Sequence, residues 1–333
     1  MRCRLPTLFR SAALAVALAA SLVPATSSAQ EVYPARNVRV IVPFSAGGGT
    51  DIVARLFAQK LSERTGKVFF VENKAGGSAG TVGSQLVSVA TPDGYTLEVN
   101  TVSGLTTAAM DPAGFNPLRD LDAVARLGST TMVVVVNPKL PIQNIADLVA
   151  YAKAHPGLAY GSSGVGSIIH FTTARFGKAA GVQMTHVPYR GELPALNDVM
   201  SGVTPLMFVS IATGKPFIAA GKVRALAVTS GARFPTEPQL PTLNELGYKD
   251  VVADVFYGVY APKGTPASAV ETLVRQINAL RADQETSHQL LEQLSFNTAG
   301  SDTPAVFQHY MEKEYAGFTQ LATDLKLVGT KDQ

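Results

Sequence analysis

The chain has 333 residues, 28 Lys and Arg against 25 Asp and Glu, a single Cys and no Trp. Its length exceeds what one hydrophobic core usually fills, so two domains are expected. The excess positive charge is confined to Arg2, Arg4 and Arg10 within the first 29 residues, which carry no acid; the remainder is balanced, which excludes the electrostatic footprint of a nucleic-acid binder.

The N-terminal segment reads as an export signal. Its arginines precede an apolar run, residues 11–23, and then a small, polar stretch ending Ser27-Ser28-Ala29. That order predicts a signal segment over 1–29, cleavage after Ala29, and a mature chain from near Gln30 that is soluble in the periplasm. The run is too short to span a bilayer comfortably, and no second long apolar stretch follows. Cys3 leaves with the signal, so the mature chain has no thiol for a disulfide, a nucleophile or a metal ligand.

Beyond the signal, short Val- and Ile-rich runs alternate with segments of helical period. This is the pattern of an α/β chain with parallel strands covered by helices. The first strand, 38–43, leads through Phe44-Ser45-Ala46-Gly47-Gly48-Gly49-Thr50-Asp51 into a helix over 51–62. Glycines let backbone approach a ligand closely, and the first amides of a helix are free donors at the positive end of its dipole. The turn therefore predicts an anion site. A strand at 68–72 precedes Gly76-Gly77-Ser78-Ala79-Gly80, which formally matches the nucleophile elbow of an α/β hydrolase. Residues 73–77 separate that strand from Ser78, whereas an elbow needs a sharp turn, and His170, His186 and Asp254 show no triad spacing. A serine hydrolase is the weaker alternative.

A strand at 95–101 ends at Thr101, with Ser103 just beyond. A strand at 131–137, a helix at 142–154 and a strand at 158–161 lead to a further glycine-rich turn, Tyr160 to Ser167, before a helix at 168–179. This turn repeats the first arrangement and adds hydroxyls at Ser162, Ser163 and Ser167 beside Gly166. His170, one turn into the helix, lies within reach of a ligand, and a structural hydrogen bond suits it equally. Two such turns in different halves of the chain point to a cleft that holds an anion from both sides. Neither is a nucleotide loop: no Lys follows either one, and Ile52 and Ile169 stand where a dinucleotide fingerprint needs Gly.

A strand at 185–188 ends on Tyr189-Arg190-Gly191, where Arg190 reads either as a partner for a carboxylate or, more commonly at a strand end, as a solvated side chain. A helix at 193–201, strands at 206–209, 225–229 and 256–261, and helices at 266–282 and 304–325 complete the pattern. The last two helices open with Thr265-Pro266 and Thr303-Pro304, a capping Thr before a Pro at the first helical position. The five histidines are scattered with no i,i+4 pair, so no metal, cofactor or catalytic residue is expected. Without a Pro/Gly/Ser-rich linker, the two domains must be joined by short strand-like crossings near Thr131 and Asp254. These crossings give lobe 1, residues 31–131 plus 254–333, and lobe 2, residues 132–253.

Seven separated motifs then agree with one family. PFSAGGGTDIVAR (43–55), VEN–KAGG–AGTVG (71–83), PDGYTL (92–97), YGSSGVGS with His170, HVPYRG–PAL (186–196), AGKVRALAVTS (220–230) and LPTLNELGY (240–248) together resemble the Bug-type substrate-binding receptors of tripartite tricarboxylate transporters. The resemblance implies a periplasmic binding protein type II-like fold, two α/β lobes with a ligand cleft between them. It also implies a monomeric receptor that captures a small carboxylate and delivers it to integral-membrane transporter subunits. Ligands in such receptors are di- or tricarboxylates or related acids, held by backbone N–H groups, hydroxyls and water. Carried over, the site comprises Phe44, Ser45, Ala46, Gly47, Gly48, Thr50, Asp51, Thr101, Ser103, Ser162, Ser163, Gly166, Ser167, His170 and Tyr189. The chain departs from the family at Val209-Ser210, where Asp-Asn is common, at Phe256, where Trp is common, and in the stretch after Ser103. Loss of an acid, with Phe44 and Phe256 present, suits an aromatic acid. A sensory module for a membrane kinase would use the same cleft.

Overall fold

The computed structural model describes residues 32–298 and 303–330; the expected signal segment lies outside the described residues. Strand β1 (Val38–Val42) is a β-branched run buried at all but one position, as befits a strand covered on both faces. It pairs in parallel with β2 (Phe69–Asn73) on one side and β3 (Thr96–Thr101) on the other. Helix α1 (Gly49–Thr65) connects β1 to β2 and stops at Gly66, whose left-handed backbone returns its N–H to Ser62. A 3-10 turn, Ser78–Gly80, precedes α2 (Thr81–Ser88); α3 (Ser103–Met110) and the short α4 (Pro117–Asp120) follow β3.

Strand β4 (Leu121–Val136) is the structural pivot. Its first part pairs antiparallel with β9 (Asp254–Pro262), down to the pair Thr131 and Asp254. From Met132 onward it pairs instead with β7 (Leu206–Ser210), and from Val133 with β8 (Arg224–Val228). Strand β5 (Leu158–Ser162) lies parallel to β6 (Met184–Pro188) and β7, while β9 also runs antiparallel to β3. The order is β2-β1-β3-β9-β4-β7-β5-β6, with β8 on β4. Helices α5 (Ile145–Ala154), α6 (Ile168–Ala180), α7 (Glu192–Ser201) and α8 (Ile211–Ala219) belong to the second half. Helices α9 (Ala267–Ala282), α10 (Gln284–Leu294) and α11 (Pro304–Asp324) follow β9.

The sheet is mixed where parallel strands were expected, because β4 and β9 run antiparallel through its middle. The strand expected at 131–137 is only the end of β4: Val133 to Val136 are fully buried and conspicuous, whereas Gly128, Ser129, Thr130 and Thr131 carry no apolar run. Thr303 caps α11 as expected, accepting from Val306 N. Thr265 does not cap α9; its hydroxyl donates to the Pro262 carbonyl, and Pro266 occupies the cap position. Helix α10 escaped notice because it buries only Thr286, Leu290 and Leu294, a thin stripe. The core gathers large side chains such as Phe171, Phe176 and Phe208, each worth about 1.5–3 kcal/mol of burial. Among the described residues no helix is long and apolar enough to cross a membrane.

Candidate functional site

The first glycine-rich turn is held by its own bonds. Gly47 adopts φ +81° and donates its N–H to Asp51 Oδ2 at 2.9 Å. Asp51 also accepts from Arg55 Nε and Asn73 Nδ2, each at 3.0 Å. Burial alone would raise the Asp51 pKa, but the bonds from Arg55, Gly47 and Asn73 outweigh it and hold the carboxylate below its ordinary range. Asp51 is thus a brace of the turn. The cap residue of α1, Gly48, has no side chain to bond the first amides, and Gly49 N donates across to Glu192 Oε2 at 3.5 Å.

The second turn rests on a pair of stacked imidazoles. His170 and His186 lie 3.9 Å apart with an interplanar angle of 5°, and the Tyr160 ring stacks on His186 at 5.2 Å. Gly166 N donates to His170 Nδ1 at 3.2 Å, and Ser162 Oγ lies 2.6 Å from His186 Nε2. Ser167 caps α6 by accepting from His170 N at 3.2 Å. Burial lowers the His170 pKa to about 4; burial and the neighbouring His170 lower that of His186 to about 3. Both rings are neutral near pH 7, and His170 supports the turn from behind, with its Nδ1 turned to Gly166.

The two turns meet. Ser45 N donates to the Arg190 carbonyl at 3.0 Å, and Ile168 N donates to Ser103 Oγ at 3.2 Å. Thr106 and Thr107 hydroxyls both reach the Gly166 carbonyl, at 2.6 and 3.3 Å. Gly191, at φ +153°, abuts Ser45 so closely that a Cβ there would collide with its hydroxyl. Between the turns is a small cavity walled by Phe44, Gly48, Gly49, Thr50, Thr101, Ser103, Ser163, Ile168, Glu192 and Val255. Its volume is about 10 Å³, room for roughly one water.

Of the expected site residues, Phe44, Gly48, Thr50, Thr101, Ser103 and Ser163 form this wall. Ser45, Gly47, Asp51, Ser162, Gly166, Ser167 and His170 shape the turns behind it. Ala46 is exposed. The Tyr189 hydroxyl donates to Asp198 Oδ2 at 2.5 Å. Arg190 is exposed and contributes its carbonyl. Phe256 is buried against Phe307 and Tyr310, with ring centroids at 5.9 and 5.3 Å, so its ring does not shape the cavity.

Sequence reasoning placed Gly49 in the first turn without naming it a site residue, and it missed Ile168, Val255 and, above all, Glu192. An acid in the first turn of a helix reads as ordinary complementation of the dipole, which hides that this one faces the opposite turn. Glu192 Oε2 accepts from the Thr213 hydroxyl and, at 3.5 Å, from Gly49 N. Burial raises its pKa, against bonds from Thr213, Gly49 and Ser210 that lower it. The hydrolase motif does not assemble a nucleophile and base: Ser78 opens a short 3-10 turn, and His170 and His186 are bonded to the second turn.

A larger cavity, about 600 Å³, lies between α6, α11 and residues 252–254, and Ile168 borders both cavities. Arg175, Asp254, Lys313 and Glu314 line it, but neither glycine-rich turn does. The starts of α1 and α6 and the hydroxyl-bearing residues Thr50, Thr101, Ser103 and Ser163 border the smaller cavity, which is therefore the candidate site. Among the described residues no three His, Cys, Asp or Glu side chains are grouped to hold a metal.

The model of the tripartite tricarboxylate transporter receptor family matches residues 53–309. The chain belongs to this family. The family is one of periplasmic solute-binding receptors. One curated relative of this receptor, the UPF0065 protein in the tcbD-tcbE intergenic region of Pseudomonas sp. (strain P51), is 34% identical over 315 residues, covering 94% of the receptor and 93% of the relative. Among solved structures, the periplasmic binding protein BugD is 32% identical with a TM-score of 0.84, covering 89% of this chain and 99% of its own. Rpa4515 of R. palustris, solved with adipate, is likewise 32% identical with a TM-score of 0.84, covering 88% and 98%. The receptor therefore has the expected periplasmic binding protein fold of two α/β lobes.

Proposed function

We propose that the receptor is exported with cleavage near Ala29, captures a small carboxylate between its lobes, and delivers it to the integral-membrane subunits of a tripartite tricarboxylate transporter. The observation that carries this reading is the meeting of two glycine-rich helix starts, at Gly48 and Ser167, across one cavity with Thr101, Ser103 and Ser163. Adipate in a relative of the same fold supports a carboxylate as the ligand. Uncharged N–H and O–H donors suit an ionised carboxylate. Each charge-assisted bond contributes on the order of 1.5–3 kcal/mol, and each helix end a further ~0.3–2 kcal/mol.

Lobe 1 comprises 31–131 plus 254–333 and lobe 2 comprises 132–253; the change of partners along β4 between Thr131 and Met132 supports a hinge there. With about 10 Å³ between the turns, a carboxylate enters only when the lobes part, and contacts from both sides favour closure around it.

The test is a thermal-shift screen of the mature protein against carboxylic acids and their neutral amides. A ligand at a hundred times its Kd stabilises the folded chain by about 2.7 kcal/mol. Gly48→Leu, whose side chain is far larger than the cavity and would hold the turns apart, should remove the shift, and its circular dichroism should match that of the wild type. Equal shifts from an acid and its amide would sink the reading.

A further inference from the structure

The wall opposite the α1 amides is an acid. Glu192 begins α7, directly after Gly191, and its carboxylate lies beside Gly49 across the gap between the turns. Its polar neighbours include hydroxyls: Thr213 donates to Oε2, Ser210 Oγ lies 3.5 Å from Thr213 Oγ1, and Tyr257 reaches Ser210 Oγ at 3.5 Å. Among the described residues no Lys, Arg or His forms an ion pair with it. A partly buried carboxylate with hydroxyls but no counter-ion is electrostatically incomplete, and a cation is the partner that completes it. A second carboxylate brought to the same place meets like-charge repulsion.

We propose that Glu192 sets the charge class of the ligand: the receptor prefers an acid whose carboxylate rests on the glycine-rich turns and whose other end is an ammonium received by Glu192, an amino acid over a dicarboxylate. This rests on the reading of the cleft as a carboxylate site and narrows it.

Matched pairs that exchange one carboxylate for an ammonium decide the point: succinate and β-alanine, glutarate and 4-aminobutanoate, adipate and 5-aminopentanoate. Calorimetry with the mature wild type should show the amino acid binding at least tenfold tighter than the dicarboxylate in the pair that fits. In Glu192→Gln, that ratio should fall at least tenfold. The wild-type ratio needs no variant, so the test survives if Glu192→Gln folds poorly.

Dicarboxylates binding as tightly as the amino acids, or a ratio unchanged in Glu192→Gln, overturns the assignment and leaves the carboxylate cleft standing. Tight dicarboxylate binding that weakens tenfold from pH 5.5 to pH 8 also overturns it, because Glu192 would then be a proton donor to a second carboxylate. Binding of neither member of any pair, nor of any other carboxylate screened, brings down the cleft reading as well.

Discussion

Acid should disable the brace under the second turn, by an amount that can be worked out. His170 Nδ1 accepts from Gly166 N, which requires a neutral ring, and burial lowers the pKa from 6.5 to about 4. Between those values the unfolded chain holds a proton that the folded chain does not. The stabilising contribution is whole above the unfolded value and is lost as pH falls through 6.5 towards about 4. From pH 8 to pH 5 the linkage removes about 2 kcal/mol. Glu98 titrates over the same range with the opposite sign, since burial raises its folded pKa to about 7 and protonation then favours the folded chain. The wild-type curve alone mixes the two. The comparison with His170→Gln isolates the histidine, because Gln keeps an acceptor for Gly166 and does not titrate, Glu98 remains in both proteins, and His186 loses only the smaller of the two causes that lower its pKa, burial being the larger. The assay is urea unfolding followed by far-ultraviolet circular dichroism, as the chain has no Trp. The advantage of the wild type over His170→Gln should shrink by about 2 kcal/mol between pH 8 and pH 5. A difference that does not change with pH would refute the neutral brace.

Other outcomes follow from the same geometry. In Gly49→Ala the new Cβ would lie 2.6 Å from Ser210 Oγ and 2.9 Å from Tyr257 Oη. It should wedge the turns apart and weaken carboxylate binding roughly tenfold or more, the equivalent of ~1–3 kcal/mol of overpacking; calorimetry at unchanged affinity would argue against the contact. Glu98→Gln removes a buried carboxylate that accepts from Ser84 Oγ at 2.5 Å and Asn100 Nδ2 at 2.7 Å, with Oε2 unpartnered. Relative to the wild type, this variant should gain roughly 2–3 kcal/mol on going from pH 5 to pH 8, read by the same unfolding assay.

What the sequence determined by itself was local or repeated. A run of glycines before a helical segment announces free amides wherever the helix packs, and seven motifs spread along the chain identify the family. Val133 to Val136 declare a buried strand. What only the tertiary structure decided was the partner of each side chain. His170 was legible as a residue one turn into a helix, but whether it faced a ligand or His186 depended on the rotation of α6 against β6. Asp51 and Tyr189 were drawn to Asn73 and Asp198, and Phe256 to Tyr310 and Phe307. Glu192 comes within reach of Gly49 from 143 residues away. Nothing in the immediate neighbourhood of either residue records that approach, because the charge an anion site presents is the sum of what two separately folded turns bring to the same few ångströms.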